Sequence, residues 1–369
     1  MAETLKSRYG PEVPRRIASM LRAVHPRFPA DAFLADALDG YEALELMPRG
    51  RKIAAALERH LPADYEEAVA LLVASMGPKL GAAEGHGMSP FLYMPHSFFI
   101  AERGLDHFEA SMNAQYELTQ RFTAEFCVRP FLERHQDATL ARLARWAEDP
   151  SEHVRRLVSE GTRPRLPWAP RLRAFQADPR PVLALLERLK DDPSLYVRRS
   201  VANNLNDVGK DHPAVLTAVA RRWLEGASPE RRWIVGHALR SALKRGEPGA
   251  LAALGFGKAK SLRVKESSVT PARARIGGKI EVAFTVVNAG RVPARTLADF
   301  RIHFVKADGG TAPKVFKLKA LELAPGARAR LRKTVSLAQH TTRRHYPGIH
   351  RVEALLDGRA FPLGRFDLR

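Results

Sequence analysis

The sequence predicts a mainly α protein, with a helical solenoid over roughly its first two thirds and an antiparallel β-sandwich after it. Three observations carry that expectation. Apolar residues recur at three- and four-residue spacings through about the first 260 positions, a repeat appears inside that region, and beyond about Gly257 the apolar period changes to two. At 369 residues the chain exceeds one typical domain of roughly 100–200 residues. We draw the helical domain at 1–257 and the sandwich at 262–369. A hydrophobic fraction of 45% supplies a core, and a single cysteine, Cys127, excludes an internal disulfide framework and a cysteine-based structural zinc site.

Within the helical part, Leu, Ala, Val and Phe keep helical spacing over 31–46, 65–76 and 139–147. Pro26, Pro48, Pro62, Pro130 and Pro150 are expected to break the pattern. A glycine-rich stretch at 77–90 reads as a long loop. It lacks the Gly-Lys-Ser/Thr ending of a phosphate-binding loop, so no nucleotide role is assigned to it. Farther on, Asp149-Pro150-Ser151-x-x-Val154-Arg155-Arg156-x-Val158 recurs as Asp192-Pro193-Ser194-x-x-Val197-Arg198-Arg199-x-Val201. The 43-residue offset lies in the range of HEAT-type helical repeats. Each Asp-Pro-Ser reads as a helix N-cap, with the valines on one face and the paired arginines flanking it. A looser third copy starts at Ser228-Pro229 and runs into Arg231-Arg232-Trp233. Stacked repeats of this kind form a curved solenoid whose concave face is a groove.

In the last hundred residues Ile280, Val282, Phe284 and Val286 alternate with polar neighbours, and further short runs follow at 300–305, 315–323, 329–335, 350–356 and 361–366. Turn residues at 288–290, 308–310, 325–326, 347–348 and 357–358 separate them. Short alternating strands at this spacing describe an antiparallel sandwich of immunoglobulin or fibronectin type, without the disulfide.

Charge is unevenly placed. The net charge is +20, and 45 of the 60 basic residues are arginine. Residues 1–261 hold 38 bases and 32 acids, whereas 262–369 hold 22 bases and 8 acids. The smaller segment therefore carries +14 of the excess, which points to a polyanionic partner, nucleic acid before an acidic membrane. The first residues lack the apolar core of a secretory signal, and no apolar run of about 18 residues appears, so a cytosolic protein without a membrane partner is expected.

Chemistry has few places to sit. Helix N-terminal amides with Arg155, Arg156, Arg198 and Arg199 would form a periodic phosphate ladder along the groove, unless the pairs are a solvated face or answer neighbouring acids. Three carboxylates stand out by context. Glu125 lies in R-F-T-A-E-F-C-V-R-P-F, on an expected helical face with Phe122 and Phe126, where phenyl rings would partly desolvate it. Glu160 ends the first repeat helix in S-E-G-T-R-P-R-L-P-W, and Asp207 closes N-N-L-N-D one helical turn after Asn203. Trp168 ends the stiff R-P-R-L-P-W segment, as a packing plug or an exposed aromatic wall; Trp233 and Tyr196 carry the same ambiguity. His86, His96 and His107 have no ligand-like spacing, and the H-T-T-R-R-H run ending at His345 reads as a basic turn, so no metal and no cofactor is expected. Deaminase, serine-hydrolase and dinucleotide-binding motifs are missing. Cys127 reads as a small buried hydrophobe on a helix.

At these residues the sequence resembles AlkC-type bacterial DNA glycosylases, of the HEAT-like-repeat alkylpurine glycosylase superfamily. Three separated blocks agree in order: A-E-F-C-V-R-P-F, S-E-G-T-R-P-R-L-P-W and D-P-S-L-Y-V-R-R-S-V-A-N-N-L-N-D. The likeness covers about 1–255, and some members carry a C-terminal Ig-like domain that would match the strand-rich tail. Thr123, Ala124 and Cys127 depart from the family's S-S-E-F-A-I-R-P-F form and leave the Glu125 position intact. The resemblance implies excision of N3-alkylated bases, 3-methyladenine and 3-methylcytosine, from duplex DNA without flipping the damaged base into a deep pocket. It places Glu125, Glu160, Trp168 and Asp207 at the functional positions.

On that footing Asp207 or Glu125 is expected nearest the sugar, with Trp168 as the aromatic wall. Glu160 either orients water or holds Trp168 and Arg163. Arg155, Arg156, Arg163, Arg198, Arg199, Asn203 and Trp233 are the expected DNA contacts. The expected protein is a monomeric hydrolase acting on double-stranded DNA in the cytoplasm and at the nucleoid. A non-catalytic DNA-binding repeat protein, or a scaffold for an acidic protein, are the other readings of the same groove.

Overall fold

The computed structural model describes residues 5–81, 89–257, 260–339 and 344–369. The predicted basic turn at 340–345 falls mostly, and the glycine-rich 77–90 partly, outside the described residues. Two compact units form: one takes residues up to Asp211 with Ala227–Ala238, the other His212–Gly226 with Leu239–Arg369.

The first unit is helical: α1 (Glu12–Val24), α2 (Ala30–Leu38), α3 (Leu46–His60), α4 (Tyr65–Ser75), α5 (Met94–Arg103), α6 (Phe108–Thr119), α7 (Val128–Arg134), α8 (Gln136–Trp146), α9 (Glu152–Gly161), α10 (Arg173–Ala177), α11 (Arg180–Leu189) and α12 (Leu195–Asp211). The helix at Pro229–Ala238 also packs here. Helices pack on near neighbours in sequence: α8 on α9, α11 on α12, α9 on α12, and α12 on Pro229–Ala238. That is the stacking of a repeat solenoid. The predicted helix over 31–46 divides, because Asp39 is extended and Gly40 takes φ +65° before α3 begins. Pro48 and Pro130 lie in the first turns of α3 and α7 rather than breaking helices, a position where the missing N–H costs nothing. No helix among the described residues is long and apolar enough to cross a membrane.

The two matched repeats build the same corner. Asp149 Oδ1 accepts from Ser151 N and Asp192 Oδ1 from Ser194 N, each at 2.8 Å. The aspartates thus form Asx turns leading into α9 and α12, rather than capping the helices directly. Arg155 then folds back, donating Nη1 to the carbonyls of Asp149 (2.8 Å) and Pro150 (3.0 Å). Arg198 does the same to Asp192 (2.9 Å) and Pro193 (2.7 Å). Arg232 donates to Ala227 O at 3.2 Å. The third copy therefore keeps the arginine staple with Ala227 in place of proline.

The second unit joins α13 (Pro213–Leu224), α15 (Arg240–Arg245) and α16 (Pro248–Ala253) to eight strands; α14 is the Pro229–Ala238 helix of the first unit. The strands are β1 (Leu262–Thr270), β2 (Arg273–Ala274), β3 (Lys279–Asn288), β4 (Ala294–Val305), β5 (Thr311–Leu323), β6 (Arg328–Ser336), β7 (Gly348–Leu356) and β8 (Arg359–Leu368). They form a three-stranded sheet β1-β3-β6 and a five-stranded sheet β2-β8-β7-β4-β5. All pairs are antiparallel except the short β2–β8 contact. Alternate residues Ile280, Val282, Phe284 and Val286 of β3 share one core with Phe300, Ile302, Val352 and Phe366, the packing that defines a sandwich. At its helical end, Gly246 (φ +73°) and Gly358 (φ +80°) touch backbone to backbone; a Cβ on Gly246 would stand 2.7 Å from the Gly358 Cα.

Candidate active site

The site lies in the helical unit, where three stretches distant in sequence converge. Glu125 is not on the expected helix. α6 ends at Thr119, and residues 121–127 form turns before α7. Thr123 Oγ1 donates to Glu125 Oε2 at 2.9 Å, an interaction a helix at that spacing would not give. Cys127 is the buried residue that immediately precedes α7. Phe91, Phe122 and Phe126 line the same cleft as Glu125, so the aromatic surroundings arise from turns instead of one helical face.

Arg156, one turn before the end of α9, points between two acids. Its Nη1 lies 2.6 Å from Glu125 Oε2, its Nη2 lies 3.7 Å from Glu160 Oε1, and its guanidinium sits 5.0 Å from the Tyr196 ring centre. Burial opposes its charge, but Glu125 and Glu160 more than offset that and raise its pKa. Glu160 receives Arg163 Nη1 at 2.7 Å and the Ser200 hydroxyl at 2.6 Å. Burial alone would raise the Glu160 pKa, yet Arg156, Arg163 and Ser200 hold it below the ordinary glutamate value. Arg163 places Nε 2.8 Å from Asp207 Oδ2, and Lys210 lies 2.7 Å from Asp207 Oδ1. Desolvation works against the Arg163 charge, and Glu160 with Asp207 raise its pKa overall.

Glu125, Arg156, Glu160 and Arg163 line a cleft of about 390 Å³ whose other walls are Phe91, Phe122, Phe126, Trp168 and Tyr196. Trp168 is 65% exposed and holds φ +65°, so its ring borders the open cleft instead of plugging the core. A positive φ is costly for a bulky residue and persists where the surroundings fix it. Asp207, 1% exposed, stands behind Arg163 instead of lining the cleft.

Residues 263–369 match the family described as "Uncharacterised protein YhaZ, C-terminal Ig-like domain". Over 355 residues the chain is 38% identical to the "Uncharacterized protein YhaZ" of Bacillus subtilis strain 168, spanning 96% of each chain. Its fold matches the structure of Pseudomonas fluorescens alkylpurine DNA glycosylase AlkC, solved bound to DNA containing an abasic site analog. There the TM-score is 0.92, with 39% identity and full coverage of both chains. This chain belongs to the AlkC family of alkylpurine DNA glycosylases.

The expected DNA contacts of this family member divide by what they touch. Arg155 and Arg198 close the repeat corners, and Arg155 also grips Asp192 of the next repeat with Nε at 2.6 Å and Nη2 at 3.1 Å. Arg156 and Arg163 sit between the acids. Arg199 is exposed on α12, with half-buried Asn203 one turn on. Aligned by their corner staples, the three repeats place Arg156, Arg199 and Trp233 at one position. Trp233 is 39% exposed and stacks on His237 with ring centres 5.0 Å apart. The sequence reading missed Thr123, Ser200, Lys210 and Arg129, all of which touch the acids or the Trp168 segment. The 43-residue repeat offset pairs Ser200 with Leu157 rather than Glu160, so spacing offered no signal for any of them.

Proposed function

We propose that the protein is a monofunctional glycosylase, active as a monomer, that hydrolyses the N-glycosidic bond of cationic N3-alkylated bases, 3-methyladenine and 3-methylcytosine, in duplex DNA. The observation that carries this reading is the run of acids, Glu160 and Asp207 buried and Glu125 half-buried, against an open aromatic cleft. An N3-methylated base is already cationic. When its bond to C1′ breaks, the electron pair leaves with the base, which becomes neutral, so no general acid is needed. Water then attacks the oxocarbenium-like sugar and gives up a proton, leaving an abasic site. The protein must therefore supply negative charge where positive charge grows, and place the water.

Glu125 and Glu160 supply that field from the cleft wall, and Asp207 from behind Arg163. Glu160, fixed by Ser200 and Arg163, is held as a carboxylate able to orient water. Trp168 offers a ring face to the cationic base or sugar, an attraction of about 0.5–2 kcal/mol. No lysine lines the cleft among the described residues, in keeping with hydrolysis without a Schiff base. Arg199, Asn203 and Trp233 carry the groove toward the DNA, with the basic sandwich as a second contact with the backbone. The open cleft and the exposure of Trp168 suit attack on a nucleotide that stays at the duplex, in a protein working in the cytoplasm at the nucleoid.

Release of 3-methyladenine and 3-methylcytosine from methylated duplex tests the reaction. Glu125→Gln with Asp207→Asn is expected to slow single-turnover release by on the order of 100-fold or more. Equal release by this double variant and the wild type would refute the assignment. A 2-aminopurine beside the lesion tests the handling of the base: its emission should stay low on binding, and a strong rise would mean extrusion.

A further inference from the structure

The segment between α9 and α10 carries Arg163 and Trp168, and a single buried side chain holds both of its ends. Arg129, on α7 one turn after Glu125, is 4% exposed. Its Nη1 donates to Gly161 O at 3.0 Å and to Arg163 O at 2.8 Å, and its Nη2 donates to Pro170 O at 2.5 Å. Gly161 ends α9, so the guanidinium also meets the negative end of that helix, one residue after Glu160. Between the clamped carbonyls run Pro164 and Pro167, and Pro170 carries the last of them; all three remove backbone donors and fix φ. The other backbone bonds there are Arg163 N to Glu160 O, Ala169 N to Leu166 O and Leu172 N to Pro164 O, and the Arg163 and Arg165 side chains pair with Asp207 and Asp211. Of these contacts, Arg129 alone spans from the start of the segment to Pro170. Trp168 meanwhile keeps its left-handed conformation while mostly solvent-exposed, so its own packing does not impose it.

We infer that Arg129 is the positioning residue of the site, clamping the 161–170 segment so that Trp168 faces Glu125 and Glu160 across the cleft. Desolvation pushes the Arg129 pKa down to about 10, which still leaves it charged at neutral pH and able to bind all three carbonyls. Lysine has one point of donation and no planar fork, so it cannot replace this geometry. This inference rests on the proposed role of Trp168, and its test separates the two.

The full-length protein labelled with 5-fluorotryptophan gives one fluorine resonance for each of Trp146, Trp168, Trp223 and Trp233, with Trp168 assigned from Trp168→Phe. In Arg129→Met and Arg129→Lys the Trp168 resonance is expected to shift or broaden while the other three hold. Single-turnover excision should fall about 10- to 100-fold at saturating DNA, with affinity for an abasic-site duplex little changed. An unmoved Trp168 resonance overturns the inference. Displacement of all four resonances in both variants also overturns it, since Arg129 would then be a general folding determinant. A displaced Trp168 with excision intact leaves the clamp standing and removes Trp168 from the reaction.

Discussion

From Glu125 through Arg156, Glu160, Arg163 and Asp207 to Lys210, the side chains alternate in sign, each within ion-pair reach of the next. An arginine or lysine stands beside each acid, which offsets the cost of placing its carboxyl away from water. Glu160 shows the consequence for pH. Its folded pKa lies below its ordinary value, so its contribution to stability is complete above the unfolded glutamate pKa of about 4.3 and is lost as pH falls through the lowered folded value. The gap in urea midpoint between wild type and Glu160→Gln should therefore be widest near neutrality and close on acidification. A gap that widened as pH fell would contradict the ion-pair account. The pairing partners were invisible in sequence, since Arg156 and Glu125 lie 31 positions apart and Arg163 and Asp207 lie 44 apart. Only packing of α9 against α12 and the turns before α7 brings them together.

At the scale of elements, the repeat corner was legible because its bonds are local. Asp, Pro, Ser and the arginine five residues after the proline all interact within seven positions. The reach of Arg155 to Asp192 was not legible, and it changes what the arginines are for. Arg155→Ala would leave the 7% exposed Asp192 carboxylate without this bidentate partner, at a cost of about 3–5 kcal/mol. Arg198→Ala, which gives up carbonyl contacts, should cost less; thermal unfolding of the two variants measures the difference. Binding to DNA should show the reverse contrast. Arg199→Ala should reduce the salt slope by about 0.9 if Arg199 meets one phosphate, while Arg155→Ala should leave the slope alone. The turns around Glu125 escaped the sequence because Phe122, Glu125 and Phe126 are spaced as on a helix, yet Thr123 turns its hydroxyl to the glutamate. Strand β1 escaped because a bulge between Lys265 and Ser268 interrupts its alternation. On α5, the fully buried His96 has its pKa pushed down to about 4 by desolvation. The unfolded chain therefore binds more protons between about pH 6.5 and 4, so stability declines as pH falls across that window. His96→Leu should flatten that decline, as read from urea midpoints at pH 7 and 5.

For the whole molecule, charge arithmetic separated a mildly basic helical part from a strongly basic tail, and the change of period located the sandwich. Neither showed that α13, α15 and α16 group with the strands. Removing 262–369 would strip the partner from Gly246 and Phe256, the latter lying under Arg295 of β4 with the guanidinium 4.5 Å from its ring. Substitution of exposed strand residues is therefore the better probe of the tail. Lys317→Gln with Lys319→Gln and Arg351→Gln should lower the salt slope of DNA binding by about 0.9 for each phosphate no longer neutralised, with thermal unfolding nearly unchanged. An unaltered slope would mean that this face does not meet DNA. The touching pair Gly246 and Gly358 also bears on how such a gene can be rearranged. The unit they belong to is discontinuous in sequence, interrupted by Ala227–Ala238, so any single breakpoint that transfers it whole also carries a helix that packs in the other unit. A crossover at the start of the strands would deliver a sandwich whose tight turn meets a foreign residue, and at that seam even alanine is too large.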